Sequence, residues 1–364
     1  MSGGQHRRED ITTSFRSPPD QVMLLSRHTD KHCMLGTFPS TETTRVFFKW
    51  NVDEQMAHLL QELLIVCVLL ATVAGTLTQG LPRLSSEDYT FLERLPSPRV
   101  ALPAGFKVKY VGEGGVIKDS KQSSGHWIEI AGSPHCSDSA VYEAALIISL
   151  QSRHMPTEVF SRLAGKSSVG VFTKAEKITI YPEFYHLKDT PDCKGTCAGH
   201  CSHTCTSDGR KWESLGGVDG TGRAIVLDDN VLCTPQDPHH HRENILVHEF
   251  GHGVQKYGLD SAHIQKVIAA YNHAKAAHLW THSAYAMTNY KEYFAEAATA
   301  FFNVNQQTSA AGMNKCGHGY YCDTEAHARA WLKQHDPQIY DVLVYAYTNN
   351  HPEIASHLKI CQSH

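Results

Sequence analysis

The sequence lacks several features that would point to particular partners. It has no block of like charges, and its formal net charge is −4 over 364 residues. Nothing in its electrostatics therefore favours nucleic acid or an anionic membrane surface as a partner. No Asn-X-Ser/Thr sequence occurs, so N-glycosylation is not expected. The uncharged apolar run at 63–77 is about 15 residues long, which is short for a helix that spans a bilayer.

The run at 63–77 fits the apolar core of a signal peptide better. Small residues at 73–75 offer a cleavage site, and Met56 stands where a signal peptide would begin. We therefore predict a signal peptide at 56–80 and a secreted protein, with no stable membrane association after the signal is removed. Residues 1–55 are interpreted as a non-structural upstream extension. The alternative is a type II membrane anchor with the basic residues of 1–55 on the cytoplasmic side.

The cysteines fit an oxidising compartment. Eleven occur, and removing Cys33 and Cys67 with the leader leaves nine, an odd number that predicts one free or intermolecular thiol. The loop 192–208 carries cysteine at every fourth position, which is not the usual CxxC spacing of a zinc site. Disulfides are predicted there, with a second metal site as the alternative. Cys316 and Cys322 bracket another loop that is expected to be bridged.

The hydrophobic patterns place strands before helices. Strands are predicted at 106–111, 127–131, 169–173, 177–181 and 224–227. Helices are predicted at 139–152, 156–164, 261–277 and 289–302, with a last helix that begins at 336–337. This order predicts an α+β domain at 104–364, in which a small mixed sheet is followed by a helical part. Prolines in 81–103 favour an extended lead-in or a short pro-segment.

The segment 243–257, ENILVHEFGHGVQKY, contains an HExxH motif. His248 and His252 are four residues apart, so on a helix they project from one face and can bind one ion. Glu249 lies about 100° around the helix from His248, where it can reach water beside the ion and act as general base. Because the chain has 25 histidines, the motif can arise by chance. An apolar stripe supports a buried helix: Leu246, Phe250, Val254 and Tyr257. The alternative is a surface helix with two solvated histidines.

A third ligand must come from another element, which leaves the fourth tetrahedral position open. The metzincin extension is excluded because Gln255 and Gly258 stand where it requires Gly and His. The predicted helix 289–302 carries Glu292 and Glu296 in an apolar pattern. Buried carboxylates are costly unless they meet a cation or strong donors, so we expect one to be a ligand and the other to support a ligand. Alternatively, both face solvent.

HEFGH at 248–252, followed by YAMTNYKEYFAEA at 285–297, resembles the catalytic domain of anthrax lethal factor and the related bacterial Pro-Pro endopeptidases. These are zincin-like metallopeptidases of the gluzincin type. The resemblance is sharp over about 244–302, and the loops 192–208 and 316–322 depart from it, so the substrate need not be that of either relative.

The resemblance implies roles for individual residues. Glu292 would complete the metal site of His248 and His252, which holds one zinc ion per chain. Glu296 would support a histidine, and Tyr285, seven residues before Glu292, would stabilise the tetrahedral intermediate.

These features predict a secreted zinc endopeptidase that hydrolyses a protein or peptide substrate. The predicted strand 224–227 is expected to pair with an extended substrate at the sheet edge. His278 and His282, and the run 239–241, are interpreted as surface or capping histidines. Two alternatives remain, an inert secreted metal-binding or toxin-like interaction protein and a zinc hydrolase that does not act on peptides. The oligomeric state is not predicted.

Overall fold

The computed structural model describes residues 84–94, 101–219, 222–317 and 319–361. The predicted upstream extension and signal peptide lie outside these ranges. Within them, every helix is too short or too polar to cross a bilayer.

The helices and strands are numbered in chain order. The α-helices are α1 Ser86–Arg94, α2 Asp138–Ser152, α3 Thr157–Lys166, α4 Asp228–Val231, α5 Ile245–Gly253, α6 Ser261–Ala276, α7 Tyr290–Phe301, α8 Glu325–His335 and α9 Pro337–Thr348. The strands are β1 Lys107–Gly112, β2 Ile117–Lys118, β3 Trp127–Gly132, β4 Ser168–Phe172, β5 Gly217–Val218 and β6 Arg223–Leu227. Short 3-10 helices include Ile178–Ile180, Trp212–Ser214 and Tyr285–Met287, and a π-helical turn, Val254–Gly258, continues α5.

The strands form one mixed sheet in the order β2-β1-β3-β4-β6-β5. Its centre, β3-β4-β6, is parallel, whereas β1, β2 and β5 pair antiparallel with their neighbours. The helices of the C-terminal half follow this sheet in the chain. The predicted α+β architecture, a small mixed sheet followed by helices, is confirmed.

Two predictions about strands are wrong. β6 does not lie at an edge, because β4 pairs with one side of it and β5 with the other. The segment 177–181 is not a strand, since Ile178–Ile180 is a 3-10 helix. The segment packs against the sheet without pairing with it. The Tyr181 ring lies under the sheet, and its hydroxyl donates to the carbonyl oxygens of Ala131, at 2.8 Å, and Val171, at 2.7 Å. Gly170 makes room for that ring, because a Cβ there would lie 2.7 Å from it.

Each face of the sheet is covered by a different part of the chain. One face contributes to the larger hydrophobic core and packs on α2, α3 and α5, which in turn contact the later helices. The sheet residues on this face are Ile128, Ile130, Val169, Val171, Ala224 and Val226. The other face packs on α1 and Trp212, and its buried residues are Ala131, Phe172, Ile225 and Leu227. The metal-motif helix α5 therefore lies between β6 and α7.

The segment 81–103 is not extended throughout. Residues Ser86–Arg94 form α1, which Ser85 and Asp88 start with reciprocal hydrogen bonds: the Ser85 N–H donates to Asp88 Oδ2 at 3.0 Å, and the Asp88 N–H donates to Ser85 Oγ at 3.1 Å. This is the capping-box arrangement of a helix start. Pro82 and Pro96 flank the helix without interrupting it.

The predicted pattern of disulfides with one free thiol is confirmed. The bridges are Cys193–Cys201, Cys197–Cys205, Cys233–Cys361 and Cys316–Cys322. Among the described residues Cys136 is the one cysteine outside a bridge; it is buried, and burial raises the pKa of its thiol to about 11. The bridge between Cys233 and Cys361 spans 128 residues of chain and is worth about 4–5 kcal/mol in the chain-entropy description. The other three span six or eight residues and fix local loops.

Candidate metal centre

The helix α5 carries both histidines of the HExxH motif into the interior. Asn244 caps it, accepting a hydrogen bond from the Val247 N–H at 3.3 Å, and every residue from Ile245 to Gly253 is buried. The surface-helix alternative is therefore wrong. Gly251 faces α7, where a Cβ in its place would come into van der Waals contact with the Cα of Ala295 at 3.4 Å.

The helix α7 supplies Glu292. Its cap, Asn289, accepts hydrogen bonds from the N–H groups of Lys291, at 2.9 Å, and Glu292, at 3.1 Å. Glu292 and Glu296 are both completely buried, so the alternative in which they face solvent is wrong. The cap sets where α7 begins and hence which turn faces α5.

Three donor atoms from these helices form a small triangle. His248 Nε2 and His252 Nε2 are 3.2 Å apart, and Glu292 Oε2 lies 3.3 Å from the first and 3.5 Å from the second. Ligands held by one tetrahedral zinc ion at about 2.0–2.1 Å lie about 3.3 Å from one another. The donor set and its spacing therefore fit a zinc ion with three protein ligands.

The electrostatics of the triangle show why it suits a cation. Burial acts to raise the pKa of Glu292, but the facing His252 and His248 hold that pKa well below its usual value. Burial acts to lower the pKa of His252, but Glu292 outweighs it and the pKa rises to about 9. A charged carboxylate thus faces the two imidazoles in a site closed to solvent, which is the charge arrangement that a bound divalent cation requires.

The second nitrogen of His248 faces two more carboxylates. Its Nδ1 lies 3.8 Å from Glu296 Oε1 and 3.8 Å from Glu243 Oε1. Glu296 in turn accepts a hydrogen bond from Asn305 Nδ2 at 2.7 Å. Carboxylates in this position fix which nitrogen of a ligand histidine carries the proton and how its ring is oriented.

Sequence reasoning missed Glu243 and Asp219. Glu243 comes just before the cap of α5, where nothing in the pattern sets it apart. Asp219 follows β5, is buried, and is close enough to His252 to raise the pKa of that imidazole. The only available signal was the general expectation that ligand histidines have carboxylate partners.

Glu249 and Tyr285 lie beside the triangle and line one cavity of about 260 Å³. The Tyr285 ring is 6.2 Å from the His248 ring. Gly217 of β5 forms part of the wall, and a Cβ there would come 2.8 Å from Ile245 Cγ2 and 3.3 Å from Glu249 Oε1. The structure thus brings every predicted site residue to one place.

Tyr89 of α1 also lines this cavity. Its ring lies 4.9 Å from the His252 ring, and its side chain is buried. Burial raises the pKa of Tyr89 well above its usual value, and the neighbouring Glu292, Tyr285 and Glu249 raise it further. The sequence predicts an extended lead-in or a short pro-segment here and gives no sign of this contact.

The other histidine groups differ from one another. The rings of His278 and His282 are 5.3 Å apart, and both side chains are exposed. In the run 239–241, His241 makes a local hydrogen bond, 2.7 Å from its Nε2 to the Thr234 carbonyl oxygen. His239 lines the cavity, so the interpretation of the whole run as surface or capping residues is incomplete.

A third group of metal-binding types lies in the cysteine-rich loop. Cys193, His200 and Cys201 bring possible donor atoms close together. The two sulfurs are joined to each other, so neither is a thiolate ligand. This favours the predicted disulfide over the second metal site.

The family comparison agrees with the motif. The profile of the family described as "Anthrax toxin lethal factor, N- and C-terminal domain" matches residues 122–311, slightly more than half of the chain. The chain belongs to this family. The match includes β3 to β6 and both helices of the metal triangle, and it stops before the bridge between Cys316 and Cys322.

The likeness to solved structures is weaker than the family match. Among solved structures, the chain is similar to the PRO-PRO endopeptidase PPEP-2 from Paenibacillus alvei, with 20% sequence identity and a TM-score of 0.37. The alignment covers 58% of this chain and 94% of that one. A likeness of this size is too weak to transfer activity. No curated protein matches.

Proposed function

We propose that this chain is a zinc-dependent endopeptidase in which His248, His252 and Glu292 hold the metal. The observation that carries the proposal is the buried triangle of two imidazole nitrogens and one carboxylate oxygen, spaced as zinc ligands are. Membership of the lethal factor family supports it independently. Three protein ligands leave a coordination place for the reacting groups, as catalytic zinc sites require.

Glu249 would be the general base. When bound, zinc polarises the scissile carbonyl and favours ionisation of water. Glu249 takes the proton from the attacking water and then delivers it to the leaving amine. Its place in the cavity wall, beside the ligands and outside their triangle, supports this role.

Tyr285 would stabilise negative charge on the substrate oxygen. Its hydroxyl group donates a hydrogen bond as the carbonyl oxygen becomes an oxyanion, a contact made mainly in the transition state. Its position in the same cavity as Glu249, on the turn just before α7, supports this role. Glu296 and Glu243 would orient His248.

The substrate would lie along β5. The sequence had indicated β6, the strand predicted at 224–227. β5 is the outer strand of the sheet, and Gly216 and Gly217 face the cavity. An extended peptide can add to such an edge through main-chain hydrogen bonds. A substrate complex without backbone pairing to residues 215–218 would contradict this placement.

We also propose that the protein is secreted, with 104–364 as the peptidase domain. Four disulfides support an oxidising compartment. N-terminal sequencing of the native protein tests the signal peptide, since a mature chain that retains residues before Met56 would contradict it.

The experiment for the peptidase proposal combines metal content with digestion of a peptide library. We expect about one zinc per chain and cleavage that Glu249→Gln abolishes while zinc is retained. Glu353→Gln, at an exposed position far along the chain, is the matched control and should change neither. A chain that holds zinc but cleaves no peptide would be the inert metal-binding protein. A chain that binds no zinc would contradict both proposals.

A further inference from the structure

The helix α1 lies against both walls of the metal cavity. On one side its cap meets the cysteine-rich region: the Ser207 N–H donates to Asp88 Oδ1 at 2.6 Å, and the Ser207 and Ser85 hydroxyl oxygens are 2.7 Å apart. Further along α1, the Phe91 ring stacks on Trp212 with 5.8 Å between centroids. These contacts hold α1 to the wall that precedes β5.

The other wall is formed by α7 and the turn after α5. Asn289 Nδ2 donates to Ser86 Oγ at 2.8 Å. Glu93 pairs with Lys291, at 2.6 Å, and with Lys256, at 3.5 Å. Residues of α1 therefore bond to the same capping residue, Asn289, that positions the proposed ligand Glu292.

Between the two walls, Tyr89 points into the metal centre. Its ring lies 4.9 Å from the His252 ring and shares the cavity with His248 and Glu249. Only 5% of Tyr89 is exposed. Tyr89 thus forms part of the wall of the cavity that a peptide attacked by water near Glu249 would enter, and it narrows the space left for that peptide.

The attachment of α1 combines a small apolar side with polar contacts to both walls. Besides Tyr89, Leu92 of α1 and Leu84 just before it join the smaller core cluster around Trp212, and Phe91 stacks on Trp212. The rest consists of hydrogen bonds and partly exposed ion pairs, which are individually weak. In the chain, residues 95–106 join α1 to β1, and within the described part of this stretch Ala101 and 103–105 are exposed.

We propose that α1 is an inhibitory cover that narrows the substrate cleft with Tyr89, and that the peptidase works only when α1 is displaced. This inference rests on the proposed peptidase function for its effect on hydrolysis. Its effect on access to the metal does not depend on hydrolysis. It gives a physical role to α1, which lies within the segment 81–103 that is predicted from the sequence as an extended lead-in or a short pro-segment.

The first test uses the full-length, zinc-loaded chain and two readouts, hydrolysis of an unfolded reporter protein and the rate of zinc transfer to dipicolinate. Tyr89→Ala should raise both rates about tenfold or more, because reactivity scales with the fraction of open molecules. Tyr89→Phe keeps the ring and should change either rate less than about twofold. Tyr320→Ala, at a tyrosine with 78% of its surface exposed, controls for the substitution itself.

A second set of variants changes the ion pairs of Glu93, at the C-terminal end of α1, and leaves Tyr89 intact. Glu93→Lys replaces attraction to Lys291 and Lys256 by repulsion and should raise both rates about two- to fivefold. Adding Lys291→Glu restores an opposite-charge pair and should return the rates towards those of the parent. If Tyr89→Ala fails to fold, these two variants decide the question.

The outcomes separate the cover from the peptidase. Faster zinc transfer without hydrolysis in any variant would support the cover and overturn the peptidase. Hydrolysis by the parent chain with no gain in either rate for Tyr89→Ala or Glu93→Lys would overturn the cover and leave the peptidase standing. Slower hydrolysis in Tyr89→Ala with unchanged zinc transfer would also overturn the cover, because Tyr89 would then help to bind substrate.

Discussion

Within the part of the chain that the structure describes, two regions bring three metal-binding side chains together, and only one of these regions suits a metal. His248, His252 and Glu292 are buried and come from two helices, whereas Cys193, His200 and Cys201 lie within one short loop. In the first group the donors are imidazole nitrogens and a carboxylate oxygen, which can bind an ion, but in the second the two sulfurs are bonded to each other. Proximity of suitable residue types is therefore insufficient. Whether the donor atoms are already covalently bonded to each other decides whether the group can bind a metal.

The surroundings differ as well. His248 faces Glu243 and Glu296 from the interior, and Asn305 holds Glu296. His200 is an exposed side chain that pairs with the exposed Asp192. A buried set with carboxylate support is preorganised for a cation, while a solvated pair gains little from one. The predictions below set these two regions against each other.

Removing the carboxylate of the triangle should have the largest effect on metal binding. Glu292→Gln takes away the charge that balances the cation, and we expect zinc affinity to fall about a thousandfold or more. Competition with a chelator of known affinity measures it. Unchanged affinity would remove Glu292 from the ligand set.

Tyr285→Phe should reduce turnover and leave the metal in place. The phenol contributes in the transition state, so kcat should fall about 100-fold or more, with little change in KM or zinc content. Steady-state kinetics and metal analysis of the same preparation give both numbers. A loss of zinc comparable to the loss of kcat would contradict a role confined to the oxyanion.

Glu296→Gln should weaken zinc binding about 10- to 100-fold, less than Glu292→Gln, because it acts through His248. Chelator competition on both variants gives the ranking. If Glu296→Gln lowered zinc affinity more than Glu292→Gln did, the roles of the two glutamates would be exchanged, and the proposed ligand set would be wrong.

The loop site should show no effect on zinc. Replacing both Cys193 and Cys201 by Ser should lower the free energy of unfolding by about 2–3 kcal/mol through loss of a short cross-link, and the stoichiometry should remain one zinc per chain. Denaturant unfolding and metal analysis measure the two. His200→Ala is the companion variant, expected to change neither. A lower zinc content in either variant would make the loop a second site.

Much of the site could be predicted because it depends on local spacing. The four-residue interval of His248 and His252 and the apolar period of α7 are set by helix geometry. Asp219 could not be predicted, because only the tertiary fold brings it to His252, and Glu243 could not because its direction depends on how the chain enters α5. The contact of Tyr89 with His252 joins residues far apart in the chain for the same reason.

The sheet shows the same limit. The strands β1, β3, β4 and β6 carry clear alternation, but β5 is a two-residue pairing that no pattern reveals. Missing β5 made β6 look like an edge strand. The residues of 177–181 that are buried under the sheet, Ile178 and Tyr181, are three positions apart, which is the spacing of one 3-10 turn and not of a strand.

X-ray absorption at the zinc edge of the purified full-length chain tests the central claim most directly. We predict one zinc ion with two imidazoles and carboxylate oxygen at about 2.0–2.1 Å and no sulfur neighbour. The imidazole signal should fall in His248→Ala and persist in His200→Ala. A sulfur neighbour at about 2.3 Å, or a spectrum that changes only in His200→Ala, would contradict the account.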